Sequence, residues 1–513
     1  MLSPRSLTIF IGLAIGFGVP AHAASSAPPV LSFDDLIALA TNDPPPPKLA
    51  AKLAEVLTTP VVVNQVDGPH HKSGPLHLAE WNINRGENEE EVELALSNAD
   101  RFLDLARRNP QAKHVAELRA ELEDLQAADV IVLDEVDDGV DRTKYHDVAR
   151  DLANALHMNY VYGVEFIELD RIYLGAEKMD QPEQATANTN GKRFGLDPTR
   201  YRGLEGSAVL SRYPIRSARI VRLPQAYDWY HSEVKAISDL EKARRWSAEQ
   251  LFEERIARQV RRGGRMALIV DLASPASPTG TITVICPHLE DYTSPRRRRE
   301  QMQYLLQQCT TIANPAILAG DLNTTGKNGH PLTVERALFR YVLNYHVLIR
   351  EVVFFITPIP GAGILLRAAN YIKNYHDPTA FNVPIFLSNP SKPLFNQVRH
   401  FRFADGGRFD FSGSPERSFH QHARTLADSN QRGWKGFTPT FRFKRTFHNL
   451  VGEFKLDWIF VKPGPGTTRL IPNSGRTLHN LNYALGQRVS DHSPITVVLS
   501  TSVAARALTA QQP

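Results

Sequence analysis

The chain has 513 residues, 42% of them hydrophobic and 22% charged, with a formal net charge of +4. That composition excludes a disordered or fibrous chain, and the length allows two to three domains, or one enlarged domain with a sizeable core. The mild basic balance is compatible with an anionic substrate without demanding one.

Residues 1–24 read as a secretory signal, with Arg5 ahead of a short apolar stretch and Ala21-His22-Ala23 as a small-x-small cleavage site. The stretch is too short to span a bilayer comfortably, so the expectation is cleavage and export to the periplasm or the medium. Two cysteines follow, Cys286 and Cys309; spacing alone leaves open one disulfide or two buried thiols. Residues 25–75 form an extension rich in Ala, Pro and Asp, with short helices expected near 34–40 and 48–57 and a polyproline linker at 44–47. The main domain is expected over 76–500, with an insertion at 327–435 and a frayed tail at 501–513.

The first strand is expected over 76–84 and ends in Trp81-Asn82-Ile83-Asn84-Arg85. Apolar spacing of three and four predicts helices over 89–106 and 114–125. A mostly β-branched run at 129–137 predicts a buried strand ending in Glu135. A carboxylate there is costly unless a cation such as Arg142 or Lys144 pairs with it or a metal binds it. A helix is expected over 146–157, a strand over 160–169, and another over 206–215 containing Ala208-Val209-Leu210-Ser211-Arg212. Residues 228–262 read as a charged helical insertion, and 266–272 and 281–286 as paired strands around a Pro- and Gly-containing hairpin.

The second of those strands runs into Pro287-His288-Leu289. The basic run Arg296 to Arg299 opens a helix, which leads to the apolar run 316–319 and then Gly320-Asp321-Leu322-Asn323. Carboxyl ends of strands are where layered α/β folds bind ligands. In the long insertion, the apolar section 341–375 reads as a pair of packed helices, with lipid contact as the alternative, and His420 and His422 lie in a Gly- and Arg-rich loop. The last strands are expected at 438–443, 456–462 and 496–499; Asp457 lies within the second, and Ser490-Asp491-His492 precedes the third.

Collected, the polar residues at strand boundaries are Asn82, Glu135, His288, Asp321, Asn323, Asp457, Asp491 and His492. Hard oxygen donors with imidazoles and no thiolates suit Mg²⁺ or Mn²⁺. Cleaving a phosphate ester requires stabilised phosphoryl charge, an activated water and a stabilised leaving oxygen, and this set can supply all three. The chain lacks a helical His pair for zinc and a Gly-x-Ser-x-Gly elbow.

On these motifs, which follow one another in the family's order, the sequence resembles the endonuclease/exonuclease/phosphatase superfamily. The resemblance implies an α/β four-layer sandwich, two mixed β-sheets flanked by helices, and a divalent-metal-dependent hydrolase. It implies that Glu135 is the main metal ligand, with Asn82 and Asp491 supporting it. Asp321, helped by Asn323, resembles the residue that activates water. His492 resembles the histidine beside the scissile phosphate, with Asp457 orienting it, and His288 a second phosphate-contacting histidine. Asp134 departs from the family's usual Gln, and Tyr160 and Tyr162 are candidates for a tyrosine near the phosphate. Expected partners are a phosphate-ester substrate, whether nucleic acid, a phospholipid head group or a small phosphate ester, contacted by Arg85, Arg142, Lys144 and Arg296 to Arg299, with the chain acting as a monomer. The alternatives are a lipid-surface phosphodiesterase of sphingomyelinase type and an inactive binding module on the same scaffold.

Overall fold

The structure is a computed structural model that describes residues 28–67, 74–110, 114–174, 195–235, 239–253, 258–275, 277, 279–324, 391–410, 439–447, 451–464 and 469–501. The expected signal segment, the apolar section 341–375, and His420 and His422 lie outside the described residues. No described helix is long and apolar enough to cross a membrane.

Fifteen described strands run in chain order. They are β1 (Val61–Val63), β2 (Leu76–Arg85), β3 (Val130–Asp138), β4 (Asn159–Glu168), β5 (Leu204–Ser211), β6 (Ile215–Arg222), β7 (Arg261–Gly263), β8 (Met266–Leu272), β9 (Ile282–Pro287), β10 (Ala316–Asp321), β11 (Phe441–Phe447), β12 (Val451–Phe454), β13 (Asp457–Lys462), β14 (Leu470–Thr477) and β15 (Ile495–Thr501). The larger sheet runs β1-β4-β5-β3-β2-β15-β14, with β7 pairing to β4; the smaller runs β13-β10-β9-β8-β6. Both sheets are mixed: β2–β3 and β9–β10 are parallel, and their neighbours antiparallel.

The period of two along each strand divides the core. Ala79, Trp81 and Ile83 of β2 face outward, under the helices Glu89–Ser97, Ala99–Arg108, Val115–Gln126 and Val148–Leu156. Leu76 and Leu78 face inward and meet the smaller sheet, whose other face is covered by the helices Pro295–Cys309 and Lys392–His400. The result is the expected order of layers: helices, sheet, sheet, helices. The same alternation turns Glu80 and Asn82 inward, in line with Leu78.

Some elements differ from the sequence reading. The helix expected over 89–106 breaks at Asn98, whose side-chain oxygen accepts from the Arg101 amide and caps a second helix. Residues 61–63, read as part of the N-terminal extension, pair with β4 as an edge strand. The strands β6, β7, β12 and β14 were not expected, because each carries polar or charged residues that blur alternation. Cys286 and Cys309 are free and buried, which settles the question the spacing left open in favour of two thiols.

Candidate active site

The polar residues gather at one end of the two sheets: the carboxyl ends of β2, β3, β9 and β10, the start of β13, and the loop entering β15. Two bulges shape this end. Between Asn82 and Arg85, β2 advances three residues while β3 advances two, and between Leu133 and Val136 β3 is bulged against β5. Bulges re-aim side chains and cluster beside active sites. Asn84, Arg85, Glu135 and Asn323 all have left-handed backbones, with φ of 48°, 65°, 53° and 43°. For residues other than glycine this costs on the order of 1–3 kcal/mol each, and the surrounding ladder must hold it.

Gly320 permits a close approach of two strands. A Cβ there would lie 2.3 Å from the Pro287 carbonyl oxygen, so glycine allows β9 and β10 to run close together where Asp321 follows. Asp134, the departure from the family's Gln, ties these strands together. Its Oδ2 accepts from the Asp321 amide at 2.8 Å, and its Oδ1 accepts from Ser207 Oγ at 2.8 Å and from the Cys286 thiol at 3.4 Å.

Asp321 is the centre of the site. Its Oδ2 accepts from Asn82 Nδ2 at 3.2 Å, and the same amide nitrogen donates to Glu135 Oε1 at 3.2 Å. Asn82 therefore turns its nitrogen, not its oxygen, toward Glu135; its Oδ1 accepts from the Asn84 amide at 3.0 Å. Asp321 Oδ1 accepts from the Asn323 amide at 2.7 Å, while Asn323 Nδ2 donates to the Leu289 carbonyl at 3.0 Å. Two imidazoles flank Asp321: His288 Nε2 and His492 Nε2 each lie 3.8 Å from Asp321 Oδ2.

Each imidazole is gripped from behind by a buried carboxylate. His492 Nδ1 is 2.9 Å from Asp457 Oδ2, as expected from the sequence, and β13 pairs Asp457 directly opposite Asp321. The loop carrying His492 is pinned to β2, since Ser490 Oγ donates to the Asn82 carbonyl at 2.7 Å and Trp81 Nε1 donates to the His492 carbonyl at 2.9 Å. His288 Nδ1 is 3.1 Å from Glu165 Oε1 and 2.8 Å from Arg265 Nη1, which also donates to the other Glu165 oxygen at 2.9 Å.

Charge follows this geometry. Burial works against an imidazolium, but the Asp457 carboxylate outweighs it and pushes His492 up to about 10. For His288, burial and Arg265 oppose the charge, yet Glu165 also brings it to about 10. Burial and the nearby Asp457 charge raise Asp321 to about 7, against the pull of the two histidines.

A cleft of about 740 Å³ opens over this end, lined in part by Asn84, Arg85, Glu135, Asp321, Asn323, Asp491 and His492. His288 is wholly buried and does not line it. The metal-ligating atoms of Asp321, Asp457 and His492 lie within 4.8 Å of one another, as do those of Asp134, Glu165 and His288. In both groups, however, the histidine Nδ1 is taken up by a carboxylate. Glu135 and Asp491 instead turn toward the cleft, and Arg85 Nε lies 3.9 Å from Glu135. These hard oxygens suit a divalent cation.

The cationic wall of the cleft was misplaced by the sequence reading. Arg142 does not pair with Glu135; it binds Asp137 and Glu168 at 2.7 Å each. Lys144 pairs with Glu90 on the surface at 3.1 Å. Of the run at 296–299, Arg298 is fully buried and donates to the Glu290 and Thr293 carbonyls, while exposed Arg296 pairs with Glu300. Tyr160 and Tyr162 do not line the cleft; Tyr162 donates to the Val136 carbonyl at 3.1 Å. Arg85 does line it, alongside Arg261 and Arg265, which the sequence reading missed. Arg261 Nη1 donates to both Glu205 oxygens, at 2.9 and 3.0 Å, and its guanidinium packs over the rings of Phe166 and Trp229.

Residues 79–492 match the model of the Endonuclease/Exonuclease/phosphatase family. No curated protein matches the chain. Among solved structures, the chain is similar to an endonuclease/exonuclease/phosphatase from Beutenbergia cavernae, with 16% identity over 83% of this chain and 71% of that one and a TM-score of 0.34. It is also similar to the human Nocturnin catalytic domain, with 13% identity over 87% and 98% of the two chains and a TM-score of 0.35. A third is a 3'-5' exonuclease from Neisseria meningitidis, with 12% identity over 83% and 100% and a TM-score of 0.36.

Proposed function

The chain belongs to the endonuclease/exonuclease/phosphatase family of hydrolases, and from that premise we propose that it is an exported, divalent-metal-dependent phosphoesterase. The observation that carries the reading is the pair of carboxylate-locked imidazoles that address one oxygen of Asp321 from two sides. A phosphate ester entering the cleft meets His492 as a cation at neutral pH, which stabilises charge on the phosphoryl oxygens. Asp321, raised to about 7 by burial and its acidic neighbour, is suited to take a proton from the attacking water. Asn323 is fixed beside it by the Asp321 and Leu289 hydrogen bonds and helps orient that water. Asn82 spaces Glu135 from Asp321, so both carboxylates face the cleft without collapsing on one another's partners.

Glu135 and Asp491 would hold the divalent cation, Mg²⁺ or Mn²⁺, with Asn82 supporting Glu135. When bound, it supplies neutralising charge for the phosphoryl and leaving oxygens. Export rests on the signal-like residues 1–24. The test is a panel of plasmid DNA, RNA, sphingomyelin, inositol phosphates and bis-p-nitrophenyl phosphate, each with Mg²⁺ and Mn²⁺. Asp321→Ala is expected to lose about a hundredfold or more in rate on any substrate cleaved. Undiminished turnover in that variant overturns the assignment.

A further inference from the structure

The N-terminal extension is fastened to the back of the cleft wall. Its helix Phe33–Thr41 buries Leu36, Leu39 and Ala40 in the core on the outer face of the larger sheet. The end of that helix is gripped by two pairs of consecutive residues that also build the cleft. In the first pair, Trp229 lines the cleft, while the Tyr230 hydroxyl donates to the Ala40 carbonyl at 2.9 Å. In the second, on β7, Arg261 lines the cleft, while Arg262 points the other way and donates to the Leu39 carbonyl at 2.8 Å and the Asn42 carbonyl at 2.7 Å. The pairs brace one another: the Arg262 guanidinium lies 3.5 Å from the centre of the Tyr230 ring, and that of Arg261 lies 4.1 Å from the centre of the Trp229 ring. Glu205 carries the contact to the floor of the site, binding Arg261 and lying 3.4 Å from Arg85 Nε.

His231 closes this arrangement. Its Nδ1 is 2.8 Å from Asp228 Oδ2 and its Nε2 is 2.6 Å from Asp43 Oδ2, so one ring joins the turn behind Trp229 to the extension. Carboxylate oxygens only accept, so both ring nitrogens must donate, and only the imidazolium carries two N–H groups. A neutral ring keeps one of the two bonds and sets a lone pair against the other carboxylate. Among the described residues, the groups facing the ring are Asp228 of its own turn, Asp43 of the extension with Arg262 of β7 3.5 Å behind it, and the Tyr230 ring, edge-on at 5.4 Å. Neither His231 nor Arg262 lines the cleft, so both act by position.

We propose that the extension is part of the cleft's machinery: protonated His231 clamps it to the wall, and loss of that proton loosens Trp229 and Arg261 and weakens the hold on substrate. The bonds to Asp228 and Asp43 keep the imidazole above its ordinary value of 6.5, so the clamp is complete below about 6.5 and is lost as pH rises through the raised value. The ring is exposed and answers to the pH of the medium. The inference rests on the phosphoesterase reading only where it speaks of substrate.

The test is hydrogen exchange read by mass spectrometry on the full chain, at about pH 5.5 and about pH 8.5, with rates corrected for intrinsic exchange. Peptides covering 36–43 and 230–235 report the two sides, through the bonded amides of Asn42, Ser232 and Val234. In the wild type both peptides are expected to exchange roughly threefold faster at the higher pH, the scale of an exposed ion pair. His231→Gln should exchange at the faster rate at both pH values. His231→Arg, a cation at either pH, should keep the slower rate at both. Wild-type exchange that ignores pH, or His231→Gln protection equal to the wild type's at pH 5.5, overturns the clamp. At pH 6, on whichever substrate of the panel is cleaved, His231→Gln is expected to raise KM severalfold with kcat unchanged, and His231→Arg to restore it; an unchanged KM overturns the link to the cleft. Exchange is read without catalysis, so a wild type inactive on the whole panel sinks the phosphoesterase reading and leaves the clamp to be judged by exchange alone.

Discussion

His288 and His492 flank Asp321 at the same 3.8 Å, each with its Nδ1 held by a buried carboxylate, and they differ in access. His492 lines the cleft, and Phe441 meets its ring edge-on at 5.0 Å. His288 is sealed behind Arg265, Glu165 and Ser207, and its Nε2 has no hydrogen-bond partner. The same local chemistry therefore does two jobs. One imidazole can touch substrate; the other can act only by setting the field and position of Asp321 from beneath. Burying this imidazolium costs desolvation, and removing the Glu165 carboxylate beside it would leave that cost uncompensated.

The largest expected effect separates the two by rescue. His492→Ala should lower the rate by about a thousandfold, and added imidazole should restore part of it, because the vacated space opens to the cleft. His288→Ala should also lose activity but gain nothing from imidazole. Equal rescue of both, read as initial rates against imidazole concentration, would break the distinction between them.

Next comes the buried partner. Glu165→Ala leaves buried His288 without its carboxylate, while Arg265 keeps Asp291 at 3.1 Å, and should cost about 3–5 kcal/mol in urea unfolding. Glu165→Gln keeps the shape and should cost less. A loss under 1 kcal/mol for the alanine variant would mean that water reaches His288 after all.

The smallest effect is a slope with pH. His288 and His492 have folded values near 10, above the unfolded value near 6.5, so the stability they contribute is fully present below about 6.5 and is lost as pH rises toward 10. Each titrating histidine contributes up to about 1.4 kcal/mol per pH unit in that window. Glu165 is held below its ordinary value: burial opposes this, but His288 and Arg265 outweigh it, so its contribution is present above about 4.5 and is lost as acid protonates it. Melting temperatures should fall between pH 6.5 and 10, and Glu165→Gln should flatten that fall.

The sequence carried much of this site because its residues stand where apolar runs stop. Asp321, Glu135, His288 and Asp457 each interrupt or end a strand readable by itself, and the layer order follows from strand and helix alternation. Their partners were less legible. Glu165 sits mid-strand in β4, and its meaning depends on the β4–β5 register that sets Ser207 opposite Gly163. The signal available was a charged residue in an otherwise buried strand, the same cost argument applied to Glu135. The run Arg296 to Arg299 misled for a helical reason: successive residues point to different faces, so Arg298 entered the core while Arg296 met solvent.

One feature of the interior bears on handling the protein. Cys286 and Cys309 are both buried, and burial pushes their thiols well up, with Asp134 adding to the effect at Cys286 and Cys309 reaching about 12. Neither is a thiolate at working pH, so neither reacts readily with alkylating agents or peroxide while the fold holds. The described framework thus carries no disulfide, and iodoacetamide uptake would report unfolding.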